Sequence, residues 1–332
     1  MRLLLISIAA AFVSVTTAQS ETGPRVDQIT AAWEAWATKN GIKETAITIG
    51  RDGDILASRG RGRDPEAAQP IASLSKAITA VCLKRVADEQ GLSLDTPLKD
   101  LSAAFAAVNI DIPPNLQERT LTSLITMTSG LKPDRTQSQF NNSYRYGDTR
   151  NIGFSKRALA TSGLKGNAGE FHYNNGNYAL LGALLEGLTG TDNVTACRDR
   201  VFPKGFRDTA GFDPDWIALA AFGGWQASTR DYTAFVMDVF GPKGDIASNL
   251  LKLPRYSDAR GWYYGLGTHY RSRHPQNVYW HNGALCGTTG AELGSYFAYY
   301  PNGYAVTVSY DRCGRGDIFI DLDNALYQAA NG

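Results

Sequence analysis

The sequence has almost no excess of charge of either sign and few residues of the types that bind metals. Its 332 residues include 33 Lys and Arg against 32 Asp and Glu, a formal net charge of +1. This balance gives no electrostatic reason to expect nucleic acid or an anionic membrane as the main partner. With four His, four Cys and no C-x-x-C or clustered-His spacing, the sequence predicts neither a metal site nor a cofactor.

Long apolar runs are missing as well, except at the start of the chain. Arg2 precedes an apolar run from Leu3 to Val15, and small residues follow as far as Ala18. This order is typical of a secretory signal peptide, and the run is shorter than the roughly 20 residues that a membrane-spanning helix needs. We therefore expect a signal peptide at residues 1–18, a secreted or periplasmic protein at 19–332, and no transmembrane segment after signal removal.

Four cysteines are too few and too scattered for a small disulfide scaffold. Cys82 shares a helical stripe with Ile78 and Val86, which favours a buried free thiol. Cys286 and Cys313 each follow a candidate strand, and we predict that these two pair once the protein is exported.

Hydrophobic periodicity predicts one domain in which a sheet is built from both ends of the chain. With 43% hydrophobic and 20% charged residues, wholesale disorder is excluded. The α/β part is predicted at about 24–100 and 245–332, and an all-α part at about 101–244 is inserted between them. The predicted helices are Val26–Lys39, Ser73–Glu89 and Ile318–Ala329, and the predicted strands are Thr45–Gly50, Asp54–Ser58, Asn277–Leu285, Gly294–Tyr300 and Tyr304–Tyr310.

An S-x-x-K element provides a candidate nucleophile. In a helix, residues three apart lie on one face, so the Lys76 amine can reach the Ser73 hydroxyl. A desolvated lysine with a lowered pKa can then remove the serine proton. The alternative is a serine that only caps a helix. Two further matches contain glycine and are better interpreted as helix ends: Ser129/Lys132 and Ser162/Lys165.

Two more elements follow Ser73 in an order that favours catalysis over capping. Tyr173 and Asn175 form a Y-x-N element, and His281 and Gly283 form an H-x-G element on a predicted strand. A phenol beside an amine can move protons at a serine if nearby positive charge lowers its pKa. A glycine in a strand lets backbone N–H groups approach a carbonyl oxygen closely.

Taken together, these motifs resemble those of the serine β-lactamase-like hydrolases related to class C β-lactamases. The same family includes D-alanyl-D-alanine carboxypeptidases, D-aminopeptidases and β-lactamase-fold carboxylesterases. The resemblance extends from about Thr45 to Arg312 and implies the β-lactamase/transpeptidase-like α/β (α+β) fold, with helices flanking an antiparallel sheet. Its segments are Pro70–Lys76 (PIASLSK), Gly91–Leu98 (GLSLDTPL), Leu124–Leu131 (LITMTSGL, with Met127 where His is usual), Tyr173–Gly182 (YNNGNYALLG), Gly223–Thr229 (GGWQAST) and Tyr264–Gly267 (YGLG).

The resemblance implies a role for each matching residue. Ser73 attacks the carbonyl and carries the acyl group. Lys76 and Tyr173 share the acid and base work, and which of them takes the first proton stays open. Asn175 holds the Lys76 side chain or the substrate amide.

The resemblance also implies that the backbone N–H groups of Ser73 and Ala284 form the oxyanion hole, with Gly283 and Trp225 at the substrate. His281 stands where β-lactamases usually have the Lys of K-T-G. A histidine near its reference pKa of about 6.5 is only partly charged, and the H-x-G form resembles the peptidase and esterase branches more than true β-lactamases.

The sequence therefore predicts an exported serine hydrolase that works through an acyl-enzyme on carboxylic esters or D-alanyl-type amides. Its partners would be a small-molecule ester, peptide or β-lactam, and peptidoglycan as a natural source of such peptides. One alternative is a β-lactamase or penicillin-binding protein with slow turnover. Another is a non-catalytic ligand-binding or sensor domain of the same fold. An α/β-hydrolase is disfavoured because no G-x-S-x-G elbow is present.

Overall fold

The structure is a computed structural model of the full chain. It describes residues 17–134, 153, 155–156, 159, 166–242, 244, 255–257, 261–273, 276–286 and 292–332. The predicted signal peptide lies outside these residues except for its last two positions. The Ser162/Lys165 pair lies outside them entirely.

One eight-stranded antiparallel sheet dominates the described residues, in the order β2-β1-β11-β10-β9-β8-β7-β6. Its N-terminal hairpin joins the C-terminal strands where β1 pairs with β11, with Ile47 opposite Val308. This confirms the prediction that both ends of the chain build one sheet. The strands are β1 Thr45–Arg51, β2 Asp54–Arg61, β6 Tyr256–Ser257, β7 Trp262–Gly265, β8 Thr268–Arg273, β9 Gln276–Leu285, β10 Leu293–Tyr299 and β11 Tyr304–Tyr310.

A second, three-stranded sheet lies next to the nucleophile segment and was not predicted. Its order is β3-β5-β4, and each of its strands has only two or three residues. Such short strands leave no alternating pattern for the sequence to reveal. They are β3 Gln69–Pro70, β4 Gly211–Phe212 and β5 Trp225–Ala227.

Helices of the described residues pack on both faces of the large sheet. Along the chain, most of them follow β2 and precede β6. The α-helices are α1 Thr17–Lys39, α2 Ser75–Glu89, α3 Ser102–Ala107, α4 Leu121–Ile125, α5 Asn175–Thr189, α6 Asn193–Val201, α7 Ala220–Gly223, α8 Thr229–Phe240 and α9 Asp317–Asn331. Short 3₁₀ turns lie at Ala72–Leu74, Leu98–Leu101, Pro114–Leu116 and Ile217–Leu219. None of the helices in these described parts is long and apolar enough to cross a membrane.

The central strands are buried on both faces, because helices cover the sheet on each side. Successive side chains of a strand point to opposite faces, so each strand contributes to two clusters. In β10, Tyr296 packs in the cluster that contains Trp33 of α1 and Leu322 of α9. The next residue, Phe297, packs with Phe235 of α8 in the other cluster. The sheet is thus a rigid layer between two sets of helices, which suits it to hold one wall of a site.

Two disulfides join elements that are distant in sequence. Cys286 at the end of β9 pairs with Cys313 after β11, as predicted. Cys82 is buried but pairs with Cys197 of α6, so the prediction of a free thiol at Cys82 was wrong. Its helical stripe correctly indicated burial. The pairing depends on how α2 and α6 pack, which no local pattern records.

Candidate active site

The segment that carries Ser73 is held from two sides by backbone contacts. The N–H of Ile71 donates to the Trp225 carbonyl at 2.9 Å, and the Ser295 hydroxyl of β10 donates to the Ile71 carbonyl at 2.7 Å. Ala72 has φ +48°, a left-handed conformation that non-glycine residues seldom adopt and that is often found at functional sites. Ser73 follows in a 3₁₀ turn that leads directly into α2, with its side chain half-buried.

Lys76 lies one turn further along, on a helix surrounded by other elements. Its Nζ is 3.0 Å from Ser73 Oγ and donates to the Phe222 carbonyl of α7 at 2.7 Å. The side chain is 0% exposed. Burial lowers the pKa of Lys76 to about 7, although the nearby Asp134 carboxylate acts to raise it. A buried amine that is partly neutral near pH 7 can accept the serine proton.

Tyr173 precedes α5 and lies beside this pair. The Lys76 Nζ is 5.1 Å from the centre of the Tyr173 ring. Burial raises the pKa of Tyr173 well above its usual value, although the neighbouring Ser73 side chain and the positive charge of Arg315 act to lower it. Tyr173 is therefore a neutral phenol near pH 7, able to donate a proton.

Asn175 is the first residue of α5 and is buried. The preceding Asn174 caps the helix, since its side chain accepts from the Gly176 N–H and donates to the Leu131 carbonyl. The Asn175 N–H donates to Asp134 Oδ2 at 3.1 Å. The Y-x-N element thus starts a buried helix next to Lys76.

His281 lies on β9 across from these groups. Its ring centre is 6.1 Å from that of Tyr173, and its Nδ1 is 2.6 Å from the Asn282 carbonyl. Burial, with repulsion from Lys76, lowers the pKa of His281 to about 3. Because the ring is neutral, Nδ1 carries the hydrogen that bonds to Asn282. The Nε2 atom is buried with no hydrogen-bond partner among the described residues and is left as an acceptor.

Gly283 lets β9 approach the nucleophile segment. A Cβ at this position would lie 2.6 Å from the Ile71 carbonyl oxygen and 3.0 Å from Ala72 Cβ. Any side chain would therefore push the strand away. The half-buried Ala284 follows Gly283 on β9, and its part in an oxyanion hole with Ser73 stays a prediction.

The structure gives Trp225 a different place from the one predicted. Its side chain is 0% exposed and its ring packs against Phe202 and Phe212, so the indole is not available to a substrate. Trp225 contributes through its backbone instead. Its N–H donates to Ser75 Oγ at 3.1 Å, and its carbonyl anchors Ile71 as described above. Trp225 was predicted to lie at the substrate, and its buried side chain does not support that placement.

The Y-G-L-G segment also has a packing role. Gly267 has φ +71°, and a Cβ there would collide with the backbone of Lys76 and Ala77. The turn between β7 and β8 thus lies directly on the first turn of α2, which helps to exclude water from the Lys76 amine.

Sequence reasoning missed three residues near these groups. His269 of β8 lies with its ring centre 4.8 Å from that of His281, and burial keeps its pKa well below the usual value. Asp134 and Arg315 act electrostatically on Tyr173. Only strand register and loop packing bring these residues here, and no motif marks them. In the parts of the chain described, no three His, Cys, Asp or Glu side chains gather as a metal site would require.

Comparison with solved structures shows where this fold is found. A D-stereospecific amidohydrolase from Streptomyces sp. superposes with a TM-score of 0.70 at 18% identity, over 92% of this chain and 98% of that chain. A class C β-lactamase from Rhodobacter sphaeroides superposes with a TM-score of 0.66 at 16% identity, over 91% and 99% of the respective chains. At such identities the likeness concerns the fold.

A match in sequence is shorter. Protein flp of Staphylococcus aureus (strain MRSA252) is 28% identical over 163 residues, which are 46% of this chain and 31% of that protein. The match therefore spans less than a third of that relative. The Beta-lactamase family model, by contrast, matches residues 26–312, which include Ser73, Lys76, Tyr173, Asn175 and His281. The chain belongs to the Beta-lactamase family.

Proposed function

We propose that this protein is an exported serine hydrolase that acts through an acyl-enzyme on carboxylic esters or D-alanyl-type amides. The observation that carries the proposal is the distance of 3.0 Å between Ser73 Oγ and Lys76 Nζ, together with the complete burial of that amine. A serine hydroxyl is a poor nucleophile until a base within hydrogen-bond reach removes its proton.

In the acylation step, the Ser73 proton passes to neutral Lys76 while Oγ bonds to the substrate carbonyl carbon. Lys76 is favoured over Tyr173 as the first base, because burial moves the two pKa values in opposite directions. Lysine becomes easier to deprotonate and tyrosine becomes harder. The backbone N–H groups of Ser73 and Ala284 donate hydrogen bonds to the carbonyl oxygen and stabilise the negative charge that develops on it.

Collapse of the tetrahedral intermediate then breaks the bond to the leaving group. The proton taken by Lys76 returns to the leaving oxygen or nitrogen, with the phenol of Tyr173, whose ring centre is 5.1 Å from the Lys76 Nζ, as the relay. Water attacks the acyl carbon in the second half of the cycle, and the same groups accept and return its proton. The acyl chain leaves as a carboxylic acid and Ser73 is regenerated.

The neutral state of His281 supports an ester or amide without a carboxylate next to the scissile bond. A lysine at this position would supply a fixed positive charge, whereas His281 with a pKa of about 3 supplies none at neutral pH. The structural likeness to a D-stereospecific amidohydrolase keeps D-aminoacyl amides in the proposal beside esters.

Labelling with a fluorophosphonate probe tests the nucleophile. We expect the wild type to be labelled and Ser73→Ala to remain unlabelled. Ser129→Ala is the matched control, since Ser129 also begins an S-x-x-K element but donates its hydroxyl hydrogen to Asn177 Oδ1 at 2.6 Å. Equal labelling of Ser73→Ala and wild type would overturn the proposal.

A panel of p-nitrophenyl acyl esters, D-Ala-D-Ala peptides, D-alanine amide and nitrocefin then identifies the substrate class. We expect short acyl esters to be hydrolysed fastest. Peptide cleavage with inert esters would reverse this order, and a stable acyl adduct without turnover would favour the sensor alternative.

A further inference from the structure

A continuous series of aromatic rings leads away from the acid–base centre. The ring centres of Tyr173 and Tyr264 of β7 are 6.2 Å apart, and those of Tyr264 and Phe171 are 5.4 Å apart. Phe171 in turn packs against Trp262 of β7 at 4.9 Å and against Tyr256 of β6 at 5.1 Å. We call the outer three residues, Phe171, Tyr256 and Trp262, the aromatic edge. Packed rings thus connect the aromatic edge to the reacting phenol.

The aromatic edge is also connected to the strand that carries His281. The Trp262 ring centre is 5.2 Å from that of His269. The His269 ring is 4.8 Å from that of His281, and it lies 6.5 Å from the nearly parallel ring of Tyr173. Two separate sets of ring contacts therefore place the aromatic edge beside the reacting groups.

Exposure divides this series of rings into an inner and an outer part. Tyr264 is 0% exposed, whereas each residue of the aromatic edge is only partly buried. The difference follows from position, because Tyr256 is on β6, the last strand of the described sheet, and Phe171 lies in a segment without regular structure before α5. A partly exposed apolar surface beside a nucleophile is typical of a substrate-binding site.

The rings between the aromatic edge and the reacting groups carry no charge near pH 7. Burial raises the pKa of Tyr264 and lowers the pKa of His269. The guanidinium of Arg255 lies 5.4 Å from the centre of the Tyr263 ring, and the Tyr263 side chain points to the opposite face of β7 from Trp262 and Tyr264. The aromatic edge therefore suits an uncharged aromatic group better than an ionic one.

The role of Tyr173 determines which part of a substrate lies here. In the proposed mechanism, the Tyr173 phenol passes a proton to the leaving oxygen or nitrogen, so that atom comes within hydrogen-bond reach of the phenol. The group attached to the leaving atom then lies beside Tyr173, where Tyr264 and the aromatic edge begin. The acyl group, by contrast, is bonded to Ser73 at the start of α2.

We propose that the aromatic edge is a binding subsite for an aromatic leaving group, and that the substrates are acyl esters of aromatic alcohols. The proposal rests on the proposed function and names its substrate class. A substrate ring would continue the series of packed rings, whose centres prefer to lie about 4.5–7 Å apart. The bond between Ser73 Oγ and the acyl carbon forms, the bond between the acyl carbon and the ester oxygen breaks, and the aromatic alcohol leaves with the proton.

The first test compares phenyl acetate with the acetate of hexafluoroisopropanol, an aliphatic alcohol of similar acidity to phenol. Both esters form the same acetyl-enzyme, so any difference between them arises before the leaving group departs. Trp262→Leu and Phe171→Leu each remove a ring and keep an apolar side chain. We expect either variant to lower kcat/KM for phenyl acetate about fivefold to tenfold, the size of one lost ring contact. The value for the aliphatic ester should stay within about twofold of wild type.

Tyr263→Leu is the matched control. Tyr263 follows Trp262 on β7 and is also partly buried, but its ring stacks on Tyr270 at 4.9 Å. We expect this variant to hydrolyse both esters as the wild type does. Equal losses for the two esters in Trp262→Leu and Phe171→Leu would mean that the aromatic edge only supports the fold of the site, and would overturn the proposal. Because Phe171 and Trp262 belong to different segments, either variant carries the test if the other does not fold.

A second pair of esters tests the acyl side. Hexafluoroisopropyl acetate and hexafluoroisopropyl phenylacetate share a leaving group and differ by a ring in the acyl group. We expect Trp262→Leu to leave the ratio of their kcat/KM values unchanged. A loss confined to the phenylacetate would place the acyl group on the aromatic edge and would overturn the proposal.

Binding to Ser73→Ala separates this proposal from the proposed function. We expect Ser73→Ala to be inactive and, in ligand-observed NMR titrations, to bind phenyl acetate more tightly than hexafluoroisopropyl acetate. Adding Trp262→Leu should remove that preference. If Ser73→Ala still hydrolyses esters, the proposed function fails. If Ser73→Ala is inactive but binds the two esters equally, only the aromatic subsite fails.

Discussion

The site has two walls. The helical wall carries Ser73, Lys76 and Tyr173 on and beside α2 and α5, and the sheet wall carries His281, Gly283 and Ala284 on β9. Burial has a different effect on the titratable side chain of each wall. On the helical wall, Lys76 is fully buried, and this burial, opposed by the Asp134 carboxylate, brings its pKa to about 7. On the sheet wall, His281 is enclosed as well and its pKa falls to about 3, which removes its charge altogether. Burial thus makes a usable base from a lysine and an uncharged acceptor from a histidine, because their reference pKa values differ by about 4 units.

The walls also differ in how they are fixed. The helical wall is held by a buried disulfide between Cys82 and Cys197, which are 115 residues apart. The sheet wall is held by a half-buried disulfide between Cys286 and Cys313, which are 27 residues apart. The first disulfide joins the core helices α2 and α6. The second joins the end of β9 to the segment that follows β11. We expect the first to contribute mainly to stability and the second mainly to catalysis.

Removing the amine from the helical wall should have the largest effect. Lys76→Met keeps the length of an apolar chain in a buried position but cannot accept a proton. We expect kcat/KM for an acyl ester to fall by about 10²–10⁴, the usual contribution of a positioned base. Circular dichroism should show an unchanged fold. Activity within about threefold of wild type would assign the first proton transfer elsewhere.

Displacing the sheet wall should have the next largest effect. Gly283→Ala places a Cβ 2.6 Å from the Ile71 carbonyl oxygen, which forces β9 away from Ser73. Loss of one oxyanion donor costs about 10²–10³ in kcat, and we expect a decrease of about 10². Gly211→Ala is the control, because a Cβ there meets nothing within 4 Å. Equal kcat values for the two variants would contradict the proposed oxyanion wall.

The pH dependence distinguishes the two walls. Activity should rise with pH through about 7 as Lys76 loses its proton. His281→Lys adds a positive charge near Lys76, which lowers the Lys76 pKa further, so the acid limb should move to lower pH. His281→Gln is the neutral control and should leave that limb near its wild-type position. A limb that disappears in His281→Gln would mean that His281, not Lys76, titrates there.

Local patterns predicted a set of residues that the structure brings close together, because the spacing within each motif is short-range. Ser73 and Lys76 are one helical turn apart, and Gly283 lies two residues after His281 on a strand. The predicted strand Asn277–Leu285 differs from the observed β9 by one residue at its start. Strand signals are short-range as well, so β1, β2, β9, β10 and β11 were predicted, whereas β6, β7 and β8 of the same sheet were not.

Apart from the Cys286–Cys313 disulfide and the joining of both chain ends in one sheet, contacts between distant segments were not revealed. His269 reaches the site because β8 pairs with β9 and places it opposite Trp280. Gly314 lies against β9 because a disulfide and the Asn282 side chain hold the segment after β11 there. The Trp225 motif was recognised, but its burial follows from the small sheet, whose strands are too short to leave a pattern. Strand register and loop packing therefore determine which further residues lie near the motifs, and neither can be predicted from the motifs themselves.

The two disulfides should also differ in what their removal does to stability. Closing a longer loop restricts the unfolded chain more, so Cys82→Ala/Cys197→Ala should lose about 1 kcal/mol more unfolding free energy than Cys286→Ala/Cys313→Ala. Urea unfolding measures this difference. The kcat values should rank in the opposite order, with Cys82→Ala/Cys197→Ala close to wild type. The same ranking in both measurements would contradict the division of roles between the two disulfides.

Trp225→Phe should have the smallest effect on catalysis. This variant distinguishes a side chain that contacts the substrate from a buried side chain that only supports the nucleophile segment. The backbone atoms that anchor Ile71 and Ser75 are kept in this variant, and the buried ring loses only part of its volume. We therefore expect KM and kcat within about twofold of wild type, with a loss of about 1–2 kcal/mol in unfolding free energy from the smaller side chain. A large rise in KM with unchanged stability would place the indole at the substrate after all. Loss of stability without a change in KM would show that this motif supports the nucleophile through its backbone.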